Sequence, residues 1–264
     1  MNKKSIFLLS VIGLLSCSNK EKFPENEAIP LNKQDSLAIV DIYNKTGGGT
    51  KWAYSWNLHD IKTWYTVTLR EIKGEYRVVG FQLADINPGR PSGYIPESIC
   101  SLTELEDLSI SSEKIYGKLP ENISKLTKLR NLTIKTTNLT ILPPEVGELQ
   151  QLEKLYLFFN SFEGNLPKEL GNLPSNTKIW IQNNKFSGTV PLEILKNRSD
   201  IILDYNNFTE LPWECWLNDE YTIPSILYNR LSGTVPDEVL RCERWNLFKD
   251  KIFPQQKGYG YIVK

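Results

Sequence analysis

The sequence is poor in the side chains that most often carry chemistry. Its 264 residues include one histidine, one methionine and four cysteines, and its 31 acidic and 31 basic residues cancel. A Ser-His-Asp or Cys-His arrangement would have to use His59, and a lone histidine without a cysteine or carboxylate cluster is a poor metal site. Balanced charge gives no electrostatic footprint for nucleic acid. We therefore expect a protein that is not an enzyme and that holds no metal or cofactor.

Long apolar runs are scarce as well. The run from Ile6 to Leu15 follows two lysines and is too short to span a bilayer. It ends in Leu-Leu-Ser-Cys at Cys17, which resembles the lipobox of bacterial lipoproteins. That resemblance implies a signal peptide over residues 1–16 and lipidation of Cys17, followed by a tether over residues 17–31. We expect a lipid-anchored outer-membrane protein of the bacterial envelope, with periplasmic and surface-exposed leaflets both open. An ordinary secretory signal is the alternative.

The feature that dominates the rest of the chain is a repeated proline. An aliphatic residue followed by proline recurs at spacings of 24, 23, 24, 24, 21 and 24 residues, at Pro96, Pro120, Pro143, Pro167, Pro191, Pro212 and Pro236. A period in the low twenties is typical of a solenoid, in which a single coil cannot bury its apolar side alone. The sequence therefore predicts stacked coils.

Residues 150–173 show the coil most completely. Leucines at positions 152, 155 and 157 are followed by Asn160, Phe162, Gly164 and Leu166-Pro167. The alternating leucines predict a short strand with one buried face. A buried asparagine amide after the strand can serve backbone groups that have lost their ladder partners. We expect a polar ladder at Asn160, Asn184, Asn206 and Asn229, with Glu113 and Thr137 in earlier coils.

This pattern resembles the plant-type subclass of leucine-rich repeat proteins, also found in bacterial surface proteins, over roughly residues 78–240. The resemblance implies an α/β repeat fold: a right-handed solenoid, or horseshoe, with a concave parallel β-sheet and 3₁₀ or helical turns on its convex side. It divides the mature chain into an N-terminal cap (32–79), about seven repeats (80–240) and a C-terminal cap (241–264).

The two caps have distinct sequence signals. Residues 32–45 predict an amphipathic helix, and Trp52, Trp56 and Trp64 are expected to pack the N-terminal cap, with hairpin strands near 67–69 and 78–79. At the other end Cys215 and Cys242 lie in neighbouring coils, where a disulfide is one interpretation and free thiols the other. Cys100 is expected to be a buried free thiol.

Residues between the core leucines face the concave side, so each column can be followed down the coils. The three columns are Ser109, Thr133, Tyr156, Trp180, Ile202, Ser225; Ser111, Lys135, Phe158, Gln182, Asp204, Leu227; and Ser112, Thr136, Phe159, Asn183, Tyr205, Tyr228. The early coils are small and polar. The last four carry the set we name the concave patch: Tyr156, Phe158, Phe159, Trp180, Ile202, Tyr205, Leu227 and Tyr228, with Lys154 and Lys178 on its rim.

A contiguous apolar patch usually marks an interaction site. We expect the concave patch of a monomer to bind a protein or peptide, as in adhesion, with a glycan or a structural envelope role without a ligand as alternatives. Three other interpretations of the aromatic residues stay open. The first is that the rings only stack on one another and stabilise the sheet. The second is that the C-terminal tail covers them. The third is that the strand register is shifted by one residue, which would place them in the core.

Overall fold

The computed structural model describes residues 29–48, 57, 63–85, 90–196, 198 and 200–262. Cys17, Trp52, Trp56 and His59 lie outside these residues, as do the predicted signal peptide and most of the tether. The helices are α1 (Lys33–Lys45), α2 (Glu214–Leu217), α3 (Asp237–Arg241) and α4 (Glu243–Phe248). The strands are β1 (Val67–Ile72), β2 (Glu75–Ala84), β3 (Ser92–Gly93), β4 (Asp107–Ser111), β5 (Lys114–Lys118), β6 (Asn131–Ile134), β7 (Asn138–Ile141), β8 (Lys154–Tyr156), β9 (Glu163–Asn165), β10 (Lys178–Trp180), β11 (Lys185–Thr189), β12 (Ile201–Ile202), β13 (Asn207–Glu210), β14 (Ser232–Thr234) and β15 (Gly260–Ile262).

One sheet runs the length of the concave side. Its order is β1-β2-β4-β6-β8-β10-β12, and from β2 onward every neighbouring pair is parallel. β2 connects the N-terminal hairpin to the parallel sheet of the repeats. It pairs antiparallel with β1, and from Gly80 onward it also pairs parallel with β4. The opposite side carries short sheets, β3-β5-β7, β9-β11-β13 and β14-β15. The predicted leucine-rich repeat solenoid is confirmed.

Each coil buries the residues that the repeat places inside. Leu152, Leu155 and Leu157 are fully buried. The repeated proline of each coil precedes a short 3₁₀ helix or α-helix, such as Lys168–Asn172 after Pro167. Its fixed φ suits the residue just before such a turn. Three phenylalanines stack through the interior with near-parallel rings, with centroids 6.0 Å apart between Phe162 and Phe186 and 6.4 Å apart between Phe186 and Phe208.

The glycine three residues before the repeated proline lies where the backbone has a positive φ. Gly117, Gly164, Gly188 and Gly233 all have positive φ, between 76° and 121°. This region strains residues that have a Cβ atom. The turn predicted at these four glycines is confirmed.

The N-terminal cap rests on a buried ion pair. Helix α1 forms as predicted, with the Asn32 side chain accepting the N–H groups of Gln34 and Asp35. The Asp35 carboxylate is fully buried, where it accepts from Arg77 Nε at 2.9 Å and from the backbone N–H of Val78 at 2.8 Å. Hydrogen bonding to Asp35 raises the pKa of Arg77 above its ordinary value. The pair ties the helix to the first concave strand.

The predicted asparagine ladder is present. Asn206 Oδ1 accepts from the N–H of Phe186 at 3.1 Å, and its Nδ2 donates to the carbonyls of Ile181 and Leu203 at 3.0 and 3.1 Å. Each amide therefore joins its own coil to the preceding one. Equivalent bonds are made by Asn160, Asn184 and Asn229. In the C-terminal cap the Gln255 amide continues the ladder, because its Oε1 accepts from Asn229 N at 3.1 Å.

One detail of the predicted ladder is wrong. Glu113 is exposed and takes no part in the ladder. In that coil Ser112 is the buried polar residue, and its hydroxyl donates to Pro91 O at 2.6 Å because the turn lacks the left-handed residue that the later coils contain. Of the two interpretations left open for Cys215 and Cys242, the structure has the free thiols. Cys215 is fully buried in α2, whereas the Cys242 thiol contacts the carbonyl of Trp216 at 3.6 Å.

The third cysteine among the described residues follows the prediction. Cys100 is a buried free thiol, and burial raises its pKa and that of Cys215 to about 12. Among the described residues, no helix has the length and apolarity needed to cross a lipid bilayer.

Removing one amide of the ladder should destabilise the solenoid. We expect Asn206→Ala to lower the free energy of unfolding by about 1–3 kcal/mol, because the buried N–H of Phe186 loses its acceptor and the carbonyls of Ile181 and Leu203 each lose one of two amide donors. The neighbouring Asn207→Ala is the matched control, since its exposed amide makes only a 3.5 Å contact. Urea denaturation measures both, and equal midpoints for the two variants would contradict the ladder's role.

Candidate ligand-binding surface

The concave columns fall in the register that the sequence predicts. Thr133 lies opposite Tyr156, Tyr156 opposite Trp180, and Trp180 opposite Ile202. Isolated bridging extends the column to Ser225. The flanking residues of these strands are fully buried, as expected of alternating faces. A one-residue register shift, which would place the rings in the core, is therefore excluded.

Tyr156 and Trp180 form a stacked pair at the centre of the concave patch. Their ring centroids are 4.4 Å apart and their planes differ by 14°. The line between them runs from one strand to the next, so each ring turns one face to its neighbour. The Trp180 indole donates to Asp200 Oδ1 at 2.7 Å, which fixes its orientation. Lys178 Nζ approaches the same carboxylate at 3.5 Å.

The second column mixes apolar and polar groups. Phe158 and Leu227 are half-buried at its two ends. Between them Asp204 Oδ1 accepts from the hydroxyl of Ser225 at 2.7 Å and from the N–H of Leu227 at 2.8 Å. Gln182 Oε1 is buried and has no hydrogen-bond partner among the described residues. Asp204 therefore supports the last coil, whereas the Gln182 oxygen is enclosed and unpaired.

The third column differs from the other two in its backbone. We name it the rim column, and five of its residues have left-handed φ between 54° and 59°: Thr136, Phe159, Asn183, Tyr205 and Tyr228. This region costs about 1–2 kcal/mol for most residues, and asparagine tolerates it best after glycine. Ser112 was predicted to continue the column, but it is buried. The aromatic residues of the column therefore sit on backbone that favours asparagine.

Tyr205 and Tyr228 stack in the rim column, with centroids 4.5 Å apart and planes 11° apart. Desolvation, followed by the charge and hydrogen bonding of Tyr228, raises the pKa of Tyr205 above its ordinary value. The two phenol groups nevertheless remain exposed, by 48% and 37% of their surface. They form a paired polar tip beside the apolar centre of the patch.

The two rim lysines begin neighbouring strands. Lys154 lies opposite Lys178 in the sheet, and both are exposed. Lys178 is held near Asp200, whereas Lys154 has no ion-pair partner among the described residues. Lys154 is thus the free cation at this border of the patch.

The C-terminal tail extends the solenoid and leaves the patch open. The carbonyls of Lys251 and Pro254 accept from the N–H groups of Ile226 and Tyr228 at 2.9 and 2.7 Å, so the tail continues the edge of the sheet. Its strand β15 pairs with β14 on the opposite side, where Tyr261 packs against Trp213. Because Phe159, Tyr205 and Tyr228 remain exposed, the predicted alternative of a roof over these rings is wrong.

The polar members of this surface are hard to find by sequence. Asp200 precedes its strand and lies outside the three predicted columns, and only its contact with Trp180 reveals its role. Among the described residues, no three His, Cys, Asp or Glu side chains are grouped as metal ligands.

Comparison with known proteins agrees with the architecture. A family model described as Leucine Rich Repeat matches residues 151–173. No curated protein matches the sequence. Among solved structures, a plant ice-binding protein superposes with a TM-score of 0.56 at 18% identity, over 88% of each chain.

Two receptor structures are also similar. The leucine-rich repeat ectodomain of the receptor kinase SOBIR1 from Arabidopsis thaliana gives a TM-score of 0.51 at 23% identity, covering 70% of this chain and 99% of that one. The plant peptide hormone receptor RGFR1, in complex with RGF2, gives 0.53 at 24% identity and covers 70% of this chain and 29% of the receptor chain. These low identities establish a shared fold. The chain therefore has the leucine-rich repeat solenoid fold, and one of its repeats matches the family model.

The rim aromatics should contribute little to folding. We expect Tyr205→Asn to change the free energy of unfolding by no more than about 1 kcal/mol, because relief of the left-handed backbone offsets the lost ring stacking. Leu203→Ala in the same coil is the comparison, with an expected loss of about 2–5 kcal/mol. Urea midpoints measure both. A loss at Tyr205 as large as that at Leu203 would show that the ring is part of the core.

Proposed function

We propose that this protein is a binding protein, not an enzyme, and that the concave patch holds an extended peptide segment of a protein ligand. One observation carries the proposal. Large apolar side chains from four successive coils lie in register on the concave face, and three of them, Phe159, Tyr205 and Tyr228, are exposed. Monomeric proteins seldom expose such a surface without a partner. Tyrosine and tryptophan are also the residues most often found at interface hot spots.

The size of the patch suits a short segment. Four coils at about 4.8 Å spacing span roughly 14 Å, which is the length of about four residues of extended chain. The border supplies polar selectivity through Lys154, which is exposed. An extended peptide presents alternating side chains and backbone groups, which match this mixture.

The orientation of the rings favours a peptide over a sugar at the centre of the patch. A sugar ring packs on an aromatic face, and the stack leaves Tyr156 and Trp180 only one such face each, since the other face of each ring is occupied by its partner. Their edges carry the positive end of the ring quadrupole and accept aliphatic groups, carbonyl oxygens or the face of another ring. Ile202 continues the apolar strip. These are contacts that peptide side chains make.

The similar structures support a binding role by analogy. RGFR1 was solved with RGF2 bound, and SOBIR1 contributes a receptor ectodomain of the same fold. A shared fold alone does not fix a ligand, so the proposal rests on the residues of the patch.

We also propose that the solenoid is attached to the bacterial outer membrane through acylated Cys17, with residues 18–31 as the spacer. The motif before Cys17 supports this location. Stable anchoring needs more than one acyl chain, which an acylated amino-terminal cysteine carries in bacterial lipoproteins.

The anchor has a direct test. Cys17→Ser should abolish incorporation of labelled palmitate and move the protein from the membrane fraction to the soluble fraction. Cys242→Ser is the control and should remain labelled and membrane-bound, because that thiol belongs to the C-terminal cap. Labelling of the Cys17 variant at the level of the unaltered protein would refute the anchor.

The binding proposal is tested with peptides of defined sequence. Peptides selected from a displayed random library on the immobilised protein should lose about 2 kcal/mol or more of binding free energy, roughly thirtyfold in affinity, when Tyr156 and Trp180 are both changed to alanine. Calorimetry measures the affinities, and the urea midpoint checks the fold.

Matched controls exist in the same column. Ser109→Ala and Thr133→Ala alter the early, polar coils and should leave peptide affinity unchanged. Retention of affinity in the Tyr156/Trp180 variant would refute the peptide site. If the unaltered protein binds a glycan but no peptide, and the Tyr156/Trp180 variant loses that glycan, the result would instead support a glycan ligand at the patch. If neither class binds, a structural envelope role remains.

A further inference from the structure

A depression opens beside the rim column, where the concave strands end. Its volume is about 560 Å³, within the range of small-molecule sites. Its lining includes Glu113, Lys114, Thr136, Phe159, Ser161 and Asn183. It therefore lies to one side of the Tyr156–Trp180 stack and joins residues from four neighbouring coils.

Phe159 supplies the apolar element of this depression. It is 57% exposed, more than either Tyr205 or Tyr228. It meets Phe158 at 86°, and among the described residues no ring stacks on it, so at least one of its faces has no ring partner. Its neighbours in the rim column are Thr136 and Asn183, whose side chains are small and polar. Phe159 thus differs from Tyr205 and Tyr228, whose rings each cover one face of the other.

The polar groups around Phe159 are unused. Asn160 and Thr137 are committed to the ladder, where Asn160 Oδ1 accepts from the Thr137 hydroxyl at 2.7 Å. By contrast, the side chains of four lining residues form no hydrogen bond or ion pair with any described residue: Thr136, Ser161, Asn183 and Glu113. Lys114 Nζ is likewise unpaired within the described chain. Hydroxyl, amide, carboxylate and ammonium groups therefore surround one open aromatic face.

This combination selects a class of ligand. One carboxylate and one ammonium cancel, which disfavours a strongly charged ligand, and a single carboxylate does not make a metal site. A single ring is too little for a wholly apolar ligand. A pyranose has an apolar C–H face and a border of hydroxyl groups that both donate and accept. We propose that this depression binds one pyranose unit of a neutral saccharide, with its C–H face on Phe159 and its hydroxyls on Thr136, Ser161 and Asn183.

The backbone of Phe159 gives independent support. Its φ is 58°, and the equivalent residue of the next coil, Asn183, has φ 59° with the side chain that this conformation prefers. A phenylalanine here gains little burial in return for its strained backbone. Strained residues with no packing benefit gather at ligand sites. The aromatic ring at this position is therefore explained by what it contacts outside the fold.

The experiment uses the full chain in a zwitterionic, sugar-free detergent. The probes are the methyl pyranosides of glucose, galactose, mannose and N-acetylglucosamine, together with their linear oligosaccharides. Saturation-transfer NMR should show at least one probe bound with its C–H face nearest the aromatic protons. Phe159→Asn should lower the affinity by at least about tenfold. The variant should keep its urea midpoint, because asparagine suits the left-handed backbone.

The control is Tyr205→Asn, which makes a similar change on the same backbone outside the depression and should keep sugar binding. The Tyr156/Trp180 double variant should keep it too, so this site and the peptide site fail independently. Similar affinity for monosaccharides and oligomers would indicate a free sugar, and rising affinity with length would indicate a polysaccharide; either supports the site. The proposal is overturned if no probe binds at millimolar concentration, or if Phe159→Asn binds as tightly as Tyr205→Asn.

Discussion

The buried asparagine at the end of each later concave strand is the constraint on which the rest of the structure depends. A primary amide has one acceptor oxygen and two N–H donors, and in Asn206 these serve backbone groups of two successive coils. A slip of one residue between coils would leave those groups buried without partners. Hydrophobic burial drives the coils together, but it is indifferent to small shifts. The ladder supplies the directional part and so fixes the register.

Fixed register determines what the concave face can offer. Aromatic residues at equivalent positions are placed one strand spacing apart, which is also a stacking distance, so Tyr156 and Trp180 pair face to face at 4.4 Å. The surface that remains is made of ring edges, aliphatic groups and a few polar atoms. Where the neighbouring coils carry small residues instead, as around Phe159, a ring face stays open. One repeat thus produces two chemically different surfaces from the same residue type.

Sequence reasoning succeeded where positions repeat. The proline period, the ladder at Asn160 and the column through Tyr156 each recur in several coils, so every coil checks the others. It failed where a coil is irregular: Ser112 replaces Glu113 as the buried group because that turn lacks the left-handed residue. The free thiols of Cys215 and Cys242 depend on the packing of short helices that no periodicity describes. Ring orientation and the bonds of Asp204 depend on three-dimensional neighbours and have no sequence signal.

The ladder and the rim column are two sides of one turn. Each ladder asparagine directly follows a residue with left-handed backbone, as Phe159 precedes Asn160 and Tyr205 precedes Asn206. The sharp turn at the rim-column residue directs the following asparagine into the core. The rim-column residue itself therefore points outward. Folding therefore requires only that the rim-column residue tolerate a left-handed φ. Asparagine, as at Asn183, is the least strained choice with a side chain. Stability alone would place asparagine or glycine throughout the column. The phenylalanine and the two tyrosines there depart from that choice, which supports our proposal that this face of the solenoid contacts a ligand.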